Sequence, residues 1–260
     1  MPIDLTGRRA IVCASSNGLG RGCAEMLARA GASVVLNGRD EARLEQTAKD
    51  LIAAETGVEI ISVAGDITDS ATQNRLLKAC PKPDILVNNN GGPPISDFRT
   101  LDRENMEAGL RANMLAPIEM IQHVIDGMMD RRFGRIVNIT SVTVKMPISG
   151  LDLSSGARAG LTSFLAGIAR DVAGANVTIN QLMPGYFDTE RSRGGLRARA
   201  ERTGRTVEVL AAERRASIPA GRLGTPEEFG HACAFLCSPQ AGFITGQNLL
   251  MDGGMFRSAF

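Results

Sequence analysis

Short, nearly unbroken apolar runs alternate along the chain with longer stretches in which apolar residues return every three or four positions. Ala10-Ile11-Val12-Cys13-Ala14 reads as a buried strand, after which Leu19, Cys23, Met26, Leu27 and Ala30 recur at helical spacing. Residues 33–37 predict a second strand, followed by a charged helix from Asp40 to about Glu55, and residues 58–64 predict a third. Further apolar runs at 84–88, 134–139, 177–182 and 248–251 complete a set of seven. Strands that are apolar throughout, rather than alternating, are buried on both faces, and helices between them supply the cover. The expected fold is therefore α/β: a seven-stranded parallel sheet, doubly wound, with helices on both faces. No repeat and no linker interrupts it, so residues 1–260 are expected to form one domain.

One segment breaks the rhythm. Residues 186–222 carry nine arginines and few large apolar side chains, between the sixth strand and the last helix. This reads as an insertion over a site, either a substrate lid that favours anionic groups or a solvated helical surface.

Composition narrows the picture mainly by exclusion. Lys+Arg 29 against Asp+Glu 28 gives a net charge of +1, so no chain-wide field attracts nucleic acid or an anionic membrane. The N-terminal stretch Met1 to Arg9 lacks the apolar core of a signal peptide, and no apolar run approaches membrane-spanning length. Five cysteines without a CxxC pair fit a reduced, cytoplasmic chain. His123 and His231 have no ligand neighbours at metal-binding spacing, so no metal is expected. The aromatic count matters most: nine Phe, no Trp and a single Tyr, Tyr186. Any chemistry needing a phenol has one residue to use.

Ser15-Ser16-Asn17-Gly18-Leu19-Gly20 joins the first strand to the first helix. Glycines there let the backbone approach a pyrophosphate, and the helix N-terminus points free N–H groups at the anion. The second strand ends Asn37-Gly38-Arg39, with no carboxylate to accept from a ribose 2′-hydroxyl and an arginine available for a 2′-phosphate. That favours NADP(H) over NAD(H). Asp66 and Asn88-Asn89-Asn90-Gly91 follow the third and fourth strands, where the sheet's carboxyl edge would meet the cofactor.

Together these pieces resemble the short-chain dehydrogenase/reductase family, particularly its 3-oxoacyl-(acyl carrier protein) reductase-like members. The likeness runs through residues 12–20, Gly65-Asp66-Ile67-Thr68, the Asn88–Gly91 motif, Asn113, Ile136 to Ser141, Pro184-Gly185-Tyr186-Phe187-Asp188-Thr189, residues 221–228 and Asp252-Gly253-Gly254. It implies a Rossmann fold that binds a nicotinamide cofactor. Ala14, Ser16, Asn17, Gly18, Leu19 and Gly20 would hold its phosphates; Arg39, Asp66 and Ile67 its adenosine end. Asn89, Asn90, Gly91, Arg158, Pro184, Gly185, Phe187 and Thr189 would hold its nicotinamide half. It also implies a homo-oligomer, a tetramer in the family, with the stretch 247–252 at a subunit contact.

Family enzymes move a hydride between the nicotinamide and a carbonyl or alcohol, using Asn, Ser, Tyr and Lys. Asn113 and Ser141 fall at the first two positions. Thirteen residues after Ser141, where the Tyr is expected, stands Ser154; four further on, in place of Lys, stands Arg158. A phenol has a pKa of about 10, and a positioned acid or base contributes roughly 10²- to 10⁴-fold. A serine hydroxyl is a far weaker acid, and a guanidinium stays protonated, so Arg158 can bind ribose hydroxyls and supply charge without relaying a proton.

Other departures bear on the same chemistry. Cys13 and Ala14 replace the family's Thr and first Gly, predicting a crowded but usable phosphate site. Pro117 has no N–H for the Asn113 carbonyl, predicting a helix kink with that carbonyl free to hold a relay water. Lys145, four residues after Ser141, is a candidate proton donor if partly desolvated, or else an ordinary loop lysine. Tyr186 is expected to line the pocket or pack rather than act as the acid. The expected function is an NADP(H)-dependent oxidoreductase with an atypical active site, acting on a small carbonyl or alcohol that can carry negative charge. The alternatives are a non-redox enzyme similar to halohydrin dehalogenases, which use Arg in place of Lys, and a nucleotide-binding subunit without catalysis.

Overall fold

The computed structural model describes residues 3–54 and 56–258; Met1, Pro2, Glu55, Ala259 and Phe260 lie outside the described residues. Its seven strands are β1 (Arg9–Val12), β2 (Ser33–Gly38), β3 (Ile60–Ala64), β4 (Ile85–Asn88), β5 (Gly134–Ile139), β6 (Val177–Pro184) and β7 (Asn248–Met251). The helices between them are α1 (Gly18–Arg29), α2 (Glu41–Ala53), α3 (Ser70–Ala79), α4 (Arg103–Leu110), α5 (Ala116–Asp130), α6 (Asp152–Ala173), α7 (Glu190–Thr203), α8 (Val207–Ala216) and α9 (Pro226–Cys237). All strand pairs are parallel, in the order β3-β2-β1-β4-β5-β6-β7. The order reverses direction after β1, which opens a crevice at the carboxyl ends of β1 and β4. This is a doubly wound Rossmann-like domain, as the apolar pattern predicts.

The sheet's two faces divide the core. Ala10 and Val12 pack with Cys23, Leu27, Leu44 and Phe229 on one side, while Ile11 and Cys13 pack with Leu76, Met120, Leu161 and Leu165 on the other. Successive residues of β1 thus serve opposite layers, which is why its pattern is continuous rather than alternating. Helix α1 is drawn against α9 by two glycines: a Cβ on Gly22 would stand 2.2 Å from the Pro226 carbonyl oxygen, and one on Gly230 would stand 2.2 Å from the Gly22 carbonyl oxygen. The backbone contact fixes the direction in which the N-terminus of α1 points.

Several boundaries shift by one or two residues, β3 starting at Ile60 and β6 running on to Pro184, and two differences have a clear cause. The first strand ends at Val12 rather than Ala14, because Ala14 turns into the left-handed region at φ +44°. Pro117 does not simply kink its helix. A π-type turn over Arg111–Leu115, closed by the Ala116 N–H on the Arg111 carbonyl, absorbs the missing donor and leaves Pro117 in the first turn of α5. The segment 186–222 folds into α7 and α8, which share a small core of Leu196, Ala200 and Leu210 apart from the two main layers.

Candidate functional site

The β1–α1 turn is shaped for an anion. Ala14 and Gly18 both take positive φ, at +44° and +57°, so Ala14 adopts the conformation for which a glycine is the usual choice. The strain is held by neighbours: the Ala14 N–H donates to Asn37 Oδ1 at 3.2 Å, and its carbonyl accepts from Asn89 Nδ2 at 3.0 Å. At Gly20 a Cβ would stand 2.4 Å from the Ala14 oxygen, so the turn closes only on glycine. Asn17 caps α1 in extended conformation without using its side chain, which leaves the N–H groups of the first turn open to a ligand. Across the cleft, Thr189 Cγ2 would lie 3.6 Å from a Gly18 Cβ. These features fit a dinucleotide phosphate.

At the adenosine end, Asn37 is turned inward, its amide donating to the Val63 and Gly65 carbonyls. Arg39 is exposed, 4.0 Å from the Asp66 carboxylate, which also accepts from the Thr68 N–H and hydroxyl. Arg39 is therefore the cation present where β2 ends, while Ile67 is buried behind it. Cys13, deep under the turn, has its thiol pushed up to about 12 by burial, partly opposed by an Asn89 backbone hydrogen bond. It is inert at neutral pH.

At the other end, α6 presents Ser154 and Arg158 to the end of β5. Ser154 and Arg158, one helical turn apart, are both buried; Arg158 Nε donates to Ser154 Oγ at 3.2 Å and its Nη1 donates to the Ile139 carbonyl at 2.7 Å. Burial first, and then the charge of Arg191, push the Arg158 pKa down to about 10. The group remains charged at neutral pH. Ser141 begins the loop after β5, its Oγ accepting from both the Thr143 N–H (3.1 Å) and the Thr143 hydroxyl (3.0 Å). With its acceptor capacity used, the Ser141 proton is free to point at a ligand.

Asn113 sits in the π-type turn, donating from Nδ2 to the Gly109 carbonyl, and its Oδ1 is buried without a partner. Asn138 Oδ1 accepts from Asn88 Nδ2 at 2.9 Å, while Asn138 Nδ2 is likewise unpaired. Both residues line a cavity of about 10 Å³, the size of one water, together with Arg158, Pro117 and Asn90. Asn88 and Asn138 lie in stretches the sequence reading singled out, but their pairing across β4 and β5 was not foreseen. The signal for it was an asparagine near the carboxyl end of each of two apolar strands.

Lys145 requires a correction. It is exposed, and its ammonium lies 5.4 Å from the Phe256 ring centroid, so the partial desolvation that would make it a proton donor is missing. Tyr186 packs under Arg214, whose guanidinium lies 4.8 Å from the ring centroid, in keeping with a packing role. Pro184 and Gly185 close β6 onto β7 through the Gly185 N–H to the Met251 carbonyl, and the Phe187 ring is buried edge-on to Phe229. A contribution of Phe187 to a ligand falls to its main chain.

One functional candidate was missed within the Arg-rich segment. Arg191, two residues past Thr189, donates to the Gly92 and Pro93 carbonyls at 2.8 and 3.2 Å, tying α7 across the cleft. Asn90 Nδ2 donates to the Ala112 carbonyl and Asn90 Oδ1 accepts from the Gly91 N–H, fixing the loop that Arg191 reaches. Beyond it, a cavity of about 400 Å³ opens between this loop, the β5–α6 loop and α7, lined by Ile95, Phe98, Arg99, Gly150, Asp152 and Arg202 among others. Among the described residues, no group of three His, Cys, Asp or Glu is placed to hold a metal, no helix is long and apolar enough to cross a membrane, and the five cysteines are free.

A doubly wound sheet with an anion-ready first turn and a polar constellation at the ends of β4, β5 and α6 is a Rossmann-type scaffold. The family model described as enoyl-(acyl carrier protein) reductase matches residues 13–256. The chain is 32% identical to the 3-oxoacyl-(acyl-carrier-protein) reductase FabG of Vibrio harveyi, over 98% of this chain and 99% of that protein. It is 30% identical to the NADPH-dependent reductase BacG of Bacillus subtilis, over 98% and 100%. The solved structure of YwfH, an NADPH-dependent reductase involved in bacilysin biosynthesis, matches with a TM-score of 0.90 at 30% identity, over 96% of this chain and 99% of that one. The chain belongs to the short-chain dehydrogenase/reductase family and is an oxidoreductase-type enzyme of that family.

Proposed function

We propose that this protein is an NADP(H)-dependent carbonyl reductase or alcohol dehydrogenase in which Ser154 and Arg158 stand where the family keeps its tyrosine and lysine. The observation that carries this reading is the buried Arg158–Ser154 hydrogen bond beside the Asn113 cavity. Preference for the phosphorylated cofactor rests on Arg39 at the end of β2 and on the NADPH-dependent relatives.

Bound nicotinamide supplies or takes the hydride at the substrate carbon. Ser141 orients the substrate oxygen with the hydroxyl proton that Thr143 leaves free. Arg158 holds the Ser154 oxygen as an acceptor, so Ser154 donates its own proton toward the same oxygen, and the adjacent guanidinium favours negative charge developing there. Arg158 also offers donors to the nicotinamide ribose. A water in the small cavity would pair with Asn113 Oδ1 and Asn138 Nδ2, linking this site to solvent for proton return. Residues 186–222 form the substrate lid, with α7 docked through Arg191. The protein works as a cytoplasmic homo-oligomer.

Titration with NADPH and NADH, followed by nicotinamide fluorescence and then by turnover of a carbonyl panel, tests the reading. Tight NADPH binding and oxidation by a carbonyl compound are expected. Absence of nicotinamide binding would move the assignment to a non-redox enzyme similar to halohydrin dehalogenases, and binding without turnover to a non-catalytic subunit.

A further inference from the structure

Arg158 and Arg191 come from different elements, yet both face the same small volume. A Cβ built on Gly92 would stand 3.0 Å from Arg191 Nη2 and 3.5 Å from Arg158 Nη2. Arg158 is 8% exposed, and its Nη2 makes no hydrogen bond, since Nε and Nη1 carry its two contacts. Neither arginine has a carboxylate partner among the described residues. The two acids nearest Arg191 in sequence are committed elsewhere, Asp188 to Arg193 and Glu190 to Arg43. Arg191 is held only by carbonyl oxygens, which carry partial charge, so the pair retains its full positive charge. Two converging cations, one of them buried and with a free donor, are unfavourable without an anion between them.

We propose that Arg158 and Arg191 form a binding site for a carboxylate carried by the substrate. This deepens the reductase reading and rests on it: the reacting compound is an oxo acid or hydroxy acid anion, not a neutral ketone. A carboxylate matches the planar donor edge of a guanidinium and can bridge two of them. A phosphate of the cofactor is the less suited occupant, because the phosphate turn at Gly18 and α1 already supplies donors at the other side of the cleft. The position next to Ser154 places the anion beside the hydroxyl that meets the reacting oxygen. Gly92 also begins the loop leading to the larger cavity, so the remainder of the substrate has a path outward.

Calorimetric titration of oxalate and of inorganic phosphate into cofactor-free and NADPH-saturated protein tests this. Oxalate is expected to bind in both states. Arg191→Ala is expected to weaken it tenfold or more, with Arg191→Lys falling between. Because Arg191→Ala also removes the two bonds that dock α7 on the Gly92 and Pro93 carbonyls, its thermal unfolding is read alongside, and Arg191→Lys, which keeps a cation there, is expected to retain more oxalate affinity than alanine at an equal melting temperature. Oxalate that fails to bind the parent, that binds Arg191→Ala equally well, or that NADPH displaces competitively would overturn the proposal, the last outcome assigning the arginines to the cofactor's phosphates. NADPH binding is read separately by fluorescence. If NADPH does not bind while oxalate binding still depends on Arg191, the carboxylate site stands and the redox reading fails.

Discussion

Replacing Arg158 with methionine separates function from stability at one position. Burial, reinforced by Arg191, brings the Arg158 pKa from an ordinary 12.5 to about 10. Holding that guanidinium charged at neutral pH therefore costs the fold about 3 kcal/mol, at 1.36 kcal/mol per decade of proton affinity. Because the folded pKa of a cation is lowered, the cost is present throughout the range below pH 10 and is relieved only as pH rises from about 10 toward 12.5. Methionine removes this cost but leaves the Ile139 carbonyl without its donor, a penalty of about 1–3 kcal/mol, while Ser154 can turn its hydroxyl to another partner. The two effects nearly cancel. Arg158→Met is expected to unfold in urea within about 1 kcal/mol of the parent, with an unchanged m-value, while NADPH-dependent turnover falls by at least tenfold. A stability loss above about 3 kcal/mol would show that the Arg158 hydrogen bonds to Ser154 and Ile139 outweigh its desolvation, and would refute the view that Arg158 is kept for its chemistry.

Gly22→Ala forces a Cβ to 2.2 Å from the Pro226 oxygen and is expected to cost about 1–3 kcal/mol, whereas Gly156→Ala, with nothing within 4 Å on α6, should stabilise by about 0.5–1 kcal/mol; calorimetric melting reads both. Arg39→Ala should weaken NADPH binding about tenfold and leave NADH nearly unchanged, measured by nicotinamide fluorescence. Ser141→Ala, which loses a donor to the substrate oxygen, should lower kcat/KM about 10²-fold with little effect on NADPH affinity in the same titrations. Glu228 is held down to about 2 by Arg222 and by the Thr225 N–H; its support for α9 is present above pH 4.5 and is lost as pH falls toward 2, so Glu228→Gln should flatten the acid limb of a stability–pH profile.

How much was legible in the sequence varies with the length scale of the interaction. Strand positions were readable because Ile11 and Val12 must satisfy opposite layers, a local requirement written in consecutive residues. The pairing of Ser154 with Arg158 was readable from spacing, since α6 fixes them one turn apart. The desolvation of Lys145 was not, because it depends on whether a distant segment covers the loop, and Phe256 leaves the ammonium exposed. Nor was the π-type turn: Pro117 announces a lost hydrogen bond, but packing decides whether the helix kinks or widens.

The chain's own order of residues determined the doubly wound sheet, the glycine turn between β1 and α1 and the placing of Ser154 and Arg158 one helical turn apart, all consequences of local periodicity and spacing. Only the tertiary structure decided that Arg191 reaches across the cleft to Gly92 and meets Arg158. Those two charges lie thirty-three residues apart on different helices, and nothing in their local sequence requires them to converge. Coulomb repulsion makes the convergence unfavourable by itself, which is why its appearance in the fold points to a ligand.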